Sequence, residues 1–304
     1  MSDIMIKTEH LTKDYGDEHG IFDVSFEVKK GEVFGYIGTN GSGKTTTIRS
    51  MMGFIQPDVG TSSILGKDAW KESIHIKPYV SYVPGEIAFP GLNSGTDFLK
   101  LQAEYLGIKD YTYMNKLIKM FQLDPSANLR RMSKGMKQKT ALVAALMGDR
   151  EILILDEPTT GLDPLMRDVF LDLIREEKAK GKTIFMSSHI FEEIEEVCDR
   201  AAMIKDGKIV DILDVYAMRH EPQKYFCAVF RKKEDRDMFA GQCDYAQCVI
   251  ENENSCRIIV DISNIQNLLV HLNKYELLEL SEKHEALEAR FREAFKKGVS
   301  SNEK

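Results

Sequence analysis

Gly38-Thr39-Asn40-Gly41-Ser42-Gly43-Lys44-Thr45 fits the pattern G-x-x-x-x-G-K-[ST]. Its flanks agree. Val33-Phe34-Gly35-Tyr36-Ile37 is apolar and β-prone, so a buried strand runs in. Residues 45–52 continue as a helix that Gly53 ends. Glycines at 38, 41 and 43 let successive backbone N–H groups face one anion. The helix start behind them adds its partial positive charge. The amides of Thr39, Asn40, Ser42 and Thr46 belong to the same cradle. Lys44 can reach the β- and γ-phosphates of a nucleotide, and the Thr45 hydroxyl suits Mg2+. The structural alternative is a Gly-rich strand-to-helix turn without a ligand.

Composition sets the frame. The 304 residues are enough for one large domain and a small one. Hydrophobic content of 43% suits a globular protein with a real core. A net charge of −7 argues against a nucleic-acid partner. Cys198, Cys227, Cys243, Cys248 and Cys256 form no C-x-x-C pair, which reads as free thiols in a reducing compartment. No apolar run approaches the ~18 residues that span a bilayer, and the N-terminus has no signal-peptide core. The expectation is a cytoplasmic chain whose membrane role would need another subunit.

Residues 4–15 and 21–28 alternate apolar and polar, as in an antiparallel sheet packed on one face. Tyr15 closes the first of these strands. It could stack on a purine or pack on the sheet edge. A turn at 56–60 leads to short strands near 62–65 and 79–83, the second broken by Pro84-Gly85. Residues 95–148 carry helical spacing at 96–106, 114–122 and 134–147, a helical insertion in an α/β domain.

Glu151-Ile152-Leu153-Ile154-Leu155-Asp156-Glu157-Pro158 is a buried strand delivering two acids at its C-terminal end, where open α/β sheets bind ligands. Asp156 suits Mg2+, and Glu157 is placed to orient or deprotonate a water. An acidic helix cap is the structural alternative. A helix at about 164–180, stopped by Gly181, precedes a strand at 183–187 with Ser188-His189 at its end. His189 could contact a γ-phosphate or cap the helix at 191–198. Residues 201–205 and 208–213 form a hairpin around Asp206-Gly207. After a boundary at 214–224, strands at 225–230, 245–250 and 257–262 and helices near 233–241 and 264–272 suggest a small split βαβ module. A last helix at 284–297 carries Leu287, Phe291 and Phe295 on one stripe, and the tail after Gly298 reads as disordered.

Taken in order, these motifs resemble the ATPase subunit of an ATP-binding-cassette (ABC) transporter over residues 4–215. Walker A is 38–45, and Walker B is 152–156 with Glu157 in the place of the catalytic glutamate. Gly161-Leu162-Asp163 resembles the D-loop, His189 the switch histidine and Tyr15 the A-loop aromatic. Two elements depart from the family. The signature, usually L-S-G-G-Q, is Met132-Ser133-Lys134-Gly135-Met136, which keeps Ser133 and Gly135 for gripping a phosphate. Gly85 stands where the Q-loop glutamine is usual, with Glu86 beside it as a substitute outer-shell metal or water partner. Both variants resemble bacterial exporters whose ATPase is a separate polypeptide, several of which carry a C-terminal extension.

The resemblance implies a P-loop NTPase cassette at 1–215: a mixed-sheet α/β core, an antiparallel β subdomain and a helical subdomain. A small α+β accessory domain at 224–298 and a tail at 299–304 follow. It implies Mg2+-dependent ATP hydrolysis, with Lys44, Glu157 and His189 catalytic and Thr45, Asp156 and Glu86 at the metal. It further implies two cassettes, identical or not, closing head to tail on ATP between one P-loop and the other chain's residues 133–136. A membrane permease docking near 85–93 would complete an export system on the inner face of the cell membrane. A soluble ABC-type ATPase acting on a ribosome or DNA is the competing expectation.

Overall fold

The structure, a computed structural model, describes residues 3–219 and 222–282. The expected helix at 284–297 and the tail lie outside the described residues. The chain divides into two compact units, residues 1–215 and 216–304.

The first unit opens with β1 (Ile4–Asp14) and β2 (Gly20–Lys29), paired antiparallel. Ile6, Leu11, Ile21, Val24, Phe26 and Val28 turn inward and are buried. Lys7, outside, pairs with Glu9 at 2.8 Å and Glu27 at 3.3 Å. The alternation therefore does what period-2 patterning requires. β3 (Val33–Ile37) leads through the glycine-rich turn into α1 (Lys44–Met51). β4 (Val59–Ile64) and β5 (Lys67–Asp68) complete a four-stranded sheet in the order β2-β1-β4-β5. A short α2 (Ser73–Ile76) precedes β6 (Val80–Val83).

The helical part follows: α3 (Gly95–Tyr105), α4 (Thr112–Met120) and α5 (Lys134–Leu146). Ser94 caps α3 by accepting from the Asp97 amide at 3.1 Å. Then come β7 (Ile152–Asp156), α6 (Pro164–Ala179), β8 (Thr183–Ser188), α7 (Phe191–Val197), β9 (Arg200–Lys205) and β10 (Lys208–Asp214). These strands form a second sheet ordered β10-β9-β3-β8-β7-β6, parallel except for the β9–β10 hairpin. Every residue of β3, β7 and β8 is buried. That is why they carry continuous apolar runs, at 33–37, 152–155 and 184–186, rather than alternation. Phe26 of β2 stacks on Phe34 of β3 at 5.4 Å and on Phe185 of β8 at 5.6 Å, joining the two sheets. The C-terminal ends of β3, β7 and β8 open on one edge, and the site lies there.

α8 (Val215–Arg219) spans the division between the units. The second unit runs β11 (Gln223–Phe230), α9 (Lys233–Gln242), β12 (Ala246–Ile250), β13 (Ser255–Asp261), α10 (Ile265–Leu272) and β14 (Leu277–Glu282). The sheet order β12-β13-β11-β14, antiparallel throughout, is that of two interlocked split βαβ units. Phe230, Phe239, Ile258, Val260, Leu268 and Leu272 fill its core. Sequence reading assigns nothing to β14. Leu and Glu favour helix, and pairing with β11 overrides that local preference.

Candidate active site

The glycine-rich turn is held by close approaches that exclude side chains. A Cβ on Gly38 would lie 2.5 Å from the Ile204 carbonyl oxygen. Gly43 is the residue before α1, at φ 106°, and a Cβ there would lie 2.7 Å from Ile21. The first-turn amides of α1 have no intrahelical acceptors, so they point out of the helix as free donors. Lys44 is 5% exposed. Its Nζ donates to the carbonyls of Gly38 (2.8 Å) and Thr39 (3.1 Å) and pairs with Glu157 Oε1 at 3.1 Å.

Asp156 closes β7 and is fully buried. Thr45 Oγ1 donates to its Oδ2 at 2.8 Å, and Ser187 Oγ donates to its Oδ1 at 2.7 Å. The Glu157 amide donates to the same Ser187 hydroxyl at 3.0 Å. Glu157 itself sits at φ 47°, in the left-handed region. Such a conformation costs about 1–3 kcal/mol for a residue with a side chain and persists only where its surroundings enforce it. Its Oε2 accepts from Thr160 Oγ1 at 3.2 Å and faces His189 Nδ1 at 3.3 Å. Burial pushes the Glu157 carboxyl up, but the Lys44 hydrogen bond and charge, with His189 behind them, hold it below the usual glutamate range. The site therefore presents a buried cation, a hydroxyl–carboxylate pair and a charged, strained glutamate on one sheet edge. These are the parts phosphoryl transfer asks for.

Residues 21–160 match the family model described as ABC transporter. A Nod factor export ATP-binding protein I of Burkholderia orbicola (strain AU 1054) is 36% identical over 218 residues, covering 68% of this chain and 70% of that protein. The chain belongs to the ABC transporter family. A bacitracin transport ATP-binding protein of Bacillus licheniformis is 33% identical over 227 residues, covering 73% of each. Among solved structures, the ATP-binding cassette MJ0796, as a dimer in a post-hydrolysis state with ADP and Pi, shares the fold. Its TM-score is 0.61 at 21% identity, covering 69% of this chain and 99% of that one. As an ABC ATP-binding protein, this chain binds and hydrolyses ATP.

The ABC motifs outside that cluster are placed as follows. Ser133 starts α5, its hydroxyl accepting from the Met136 amide at 3.2 Å. Gly135 packs so closely on the D-loop that a Cβ would lie 2.7 Å from the Gly161 carbonyl oxygen. Met132, in the place of the usual leucine, is 5% exposed, a buried apolar side chain. Tyr15 is 56% exposed at the end of β1, with Lys13 Nζ 5.8 Å from its ring centre. Glu86 is exposed and takes no part in the hydrogen bonds around Asp156. Gly85 does reach that carboxylate: a Cβ on it would lie 3.0 Å from Asp156 Oδ2.

Sequence reading misses two residues that hold the site together. Ser187 bridges Asp156 and the Glu157 amide, and the strand register pairs it with Asp156. Gln138 is 3% exposed, and its Nε2 donates to the Pro158 carbonyl at 2.8 Å, tying α5 to the turn after Glu157. Ser187 could be found from its place at the end of a buried strand; Gln138, inside an amphipathic helix, carries no local signal.

Proposed function

We propose that the chain energises export through a separate membrane permease, working as one of a pair of cassettes. The observation that carries this is the contact set Lys44–Glu157–His189 with Thr45–Asp156–Ser187 on a single sheet edge. Two relatives named for export or transport support the direction. Lys44 and the free amides among residues 39–46 take the β- and γ-phosphates, and Tyr15 stacks on the base. A buried carboxylate hydrogen-bonded to one hydroxyl beside the phosphate cradle fits Mg2+, so Thr45 and Asp156 are the metal's protein ligands. When bound, that ion neutralises charge on the transferring phosphoryl group. Glu157 orients and deprotonates the attacking water, and His189 holds the γ-phosphate side. Glu86 is assigned to the metal's outer water shell.

Ser133 and Gly135 serve the ATP of a second nucleotide-binding subunit, where an N-terminal hydroxyl and free amides suit a phosphate. A groove of about 250 Å3, lined among others by Lys77, Tyr82, Phe89, Phe98, Gln102 and Arg150, lies beside the 85–93 loop. It takes a cytoplasmic segment of the permease, which places the chain at the inner face of the membrane. Pro84 and Ile87 line it, and Gly85 between them approaches Asp156, so docking and the metal site would share one loop. The test is light scattering of Glu157→Gln with ATP and Mg2+. The mass of two chains is expected with ATP and of one with ADP, and Gly135→Arg should abolish the pairing. A mass that ignores nucleotide would overturn the paired-cassette reading.

A further inference from the structure

Ser188, the last residue of β8, is 2% exposed and makes three connections. Its carbonyl accepts from the Gly38 amide at 3.4 Å, at the head of the P-loop. Its hydroxyl accepts from the Ile190 amide at 3.0 Å, just past His189. The same hydroxyl donates to Glu193 Oε2 at 2.8 Å. Glu193, on the inward face of α7, is 1% exposed. The second oxygen, Oε1, has no hydrogen-bond partner among the described residues. The groups facing this carboxyl are Thr159 from the turn after β7, Arg167 from α6, and Ser188 and His189 from the β8–α7 turn. His189 pairs with Glu157 at 3.3 Å and lies near enough to Glu193 for its charge to be felt there.

We infer that Glu193 is a positioning residue for ATP hydrolysis: from α7 it holds the Ser188 hydroxyl, and through it the β8–α7 turn that presents His189 to Glu157. The inference rests on the proposed role of His189. The physical ground is hydrogen-bond supply. An ionised carboxylate has room for about four donors, and this one is given only the Ser188 and Thr159 hydroxyls, with one oxygen bare. Burial accordingly pushes the Glu193 carboxyl up, against weaker pulls from Ser188, Thr159, Arg167 and His189. Without it, the Ser188 hydroxyl, which also accepts the Ile190 amide, loses the partner that fixes the turn carrying His189.

Glu193→Gln keeps a neutral acceptor of the same shape, whereas Glu193→Ala removes the acceptor. Turnover of Glu193→Gln should stay within about twofold of wild type, with Glu193→Ala falling roughly tenfold to a hundredfold, as for a displaced catalytic group. KM for ATP should hardly move in either, since Lys44 and the P-loop are untouched. A protonation readout needs neither ATP nor His189. A buried acid whose folded pKa is raised loses stability as pH rises through that pKa. The melting temperature of Glu193→Gln should therefore exceed wild type by a margin that widens as pH rises above the ordinary glutamate range. A margin that is constant or reversed overturns the raised carboxyl, and turnover of Glu193→Ala within twofold of wild type overturns its positioning role. His189→Ala reports separately: unimpaired turnover there defeats the reading of His189 itself.

Discussion

Just before the start of β8, Glu177 of α6 is fully enclosed, and its carboxyl is well supplied. Tyr113 Oη donates at 2.7 Å, Lys180 Nζ at 2.6 Å, and Lys182 pairs with its other oxygen. Lys182 in turn reaches Asp149 at 2.5 Å. At the other end of the same strand, Glu193 is equally enclosed but receives only hydroxyls, from Ser188 and Thr159, and Glu157 is held in a left-handed conformation. Burial raises both buried glutamates, yet at Glu177 the Lys180, Lys182 and Tyr113 contacts outweigh it and pull the carboxyl below the usual range. The contrast teaches where each end of a parallel sheet spends its polar groups. The N-terminal end pairs them off and is locked. The C-terminal end leaves them with unused capacity and backbone strain, which is what a site that must receive phosphate requires.

The largest effect that would break this contrast is at the C-terminal end. Glu157→Gln should lower turnover roughly 10²–10⁴-fold, the usual worth of a general base, while ATP binding persists. Phosphate release measures the first and calorimetry the second. Undiminished turnover would reduce Glu157 to another structural acid. Next in size is Glu177→Gln at the locked end, which leaves Lys182, 8% exposed, without its buried counter-charge. Breaking such a pair costs about 3 kcal/mol or more, with turnover per folded molecule unchanged. The sign with pH is opposite to that of Glu193. The Glu177 carboxyl is held low, so its contribution is present above the unfolded glutamate pKa and is lost as pH falls through the folded one. Denaturant midpoints at neutral and acid pH should therefore converge between variant and wild type on acidification. Parallel curves would mean the cluster does not stabilise through charge.

How much of this can be read without coordinates follows the same division. Lys44, Thr45, Asp156 and Glu157 are legible because phosphate and metal chemistry fixes their spacing within two short stretches. The parallel sheet is legible because strands buried on both faces must be apolar throughout. Glu193 is not, because the run Glu192-Glu193-Ile194-Glu195-Glu196 reads as a solvated helix face. The signal is there at helical spacing: Glu193 stands three residues after Ile190 and four before Val197, on the face that Ile194 and Val197 bury. In the second unit no chemistry fixes spacing, and only periodicity speaks. It finds β11, β12, β13 and both long helices. It is silent on β14, whose Leu-Glu composition suits a helix as well as an edge strand.

The smallest expected effect tests the loop that departs from the family pattern. Gly85 takes no left-handed φ, so alanine meets no backbone strain there. Its new Cβ would stand 3.0 Å from Asp156 Oδ2, the same oxygen that accepts the Thr45 hydroxyl. Stability should change by less than about 1 kcal/mol, since a few tenths of an ångström of movement relieve the contact. The carboxylate can yield only by loosening Thr45 or Ser187. The Mg2+ concentration for half-maximal ATPase should then rise, by less than about tenfold, as when a metal ligand loses part of its support. Glu86→Gln makes the complementary change, removing charge without adding bulk. A Mg2+ requirement that shifts with Gly85→Ala and not with Glu86→Gln would mean the backbone at 85, not the neighbouring acid, adjusts the metal to the state of the docking groove. A shift in neither would separate the 85–93 loop from the chemistry altogether, leaving the C-terminal edge of the sheet to Asp156, Glu157 and the Ser188–Glu193 contact alone.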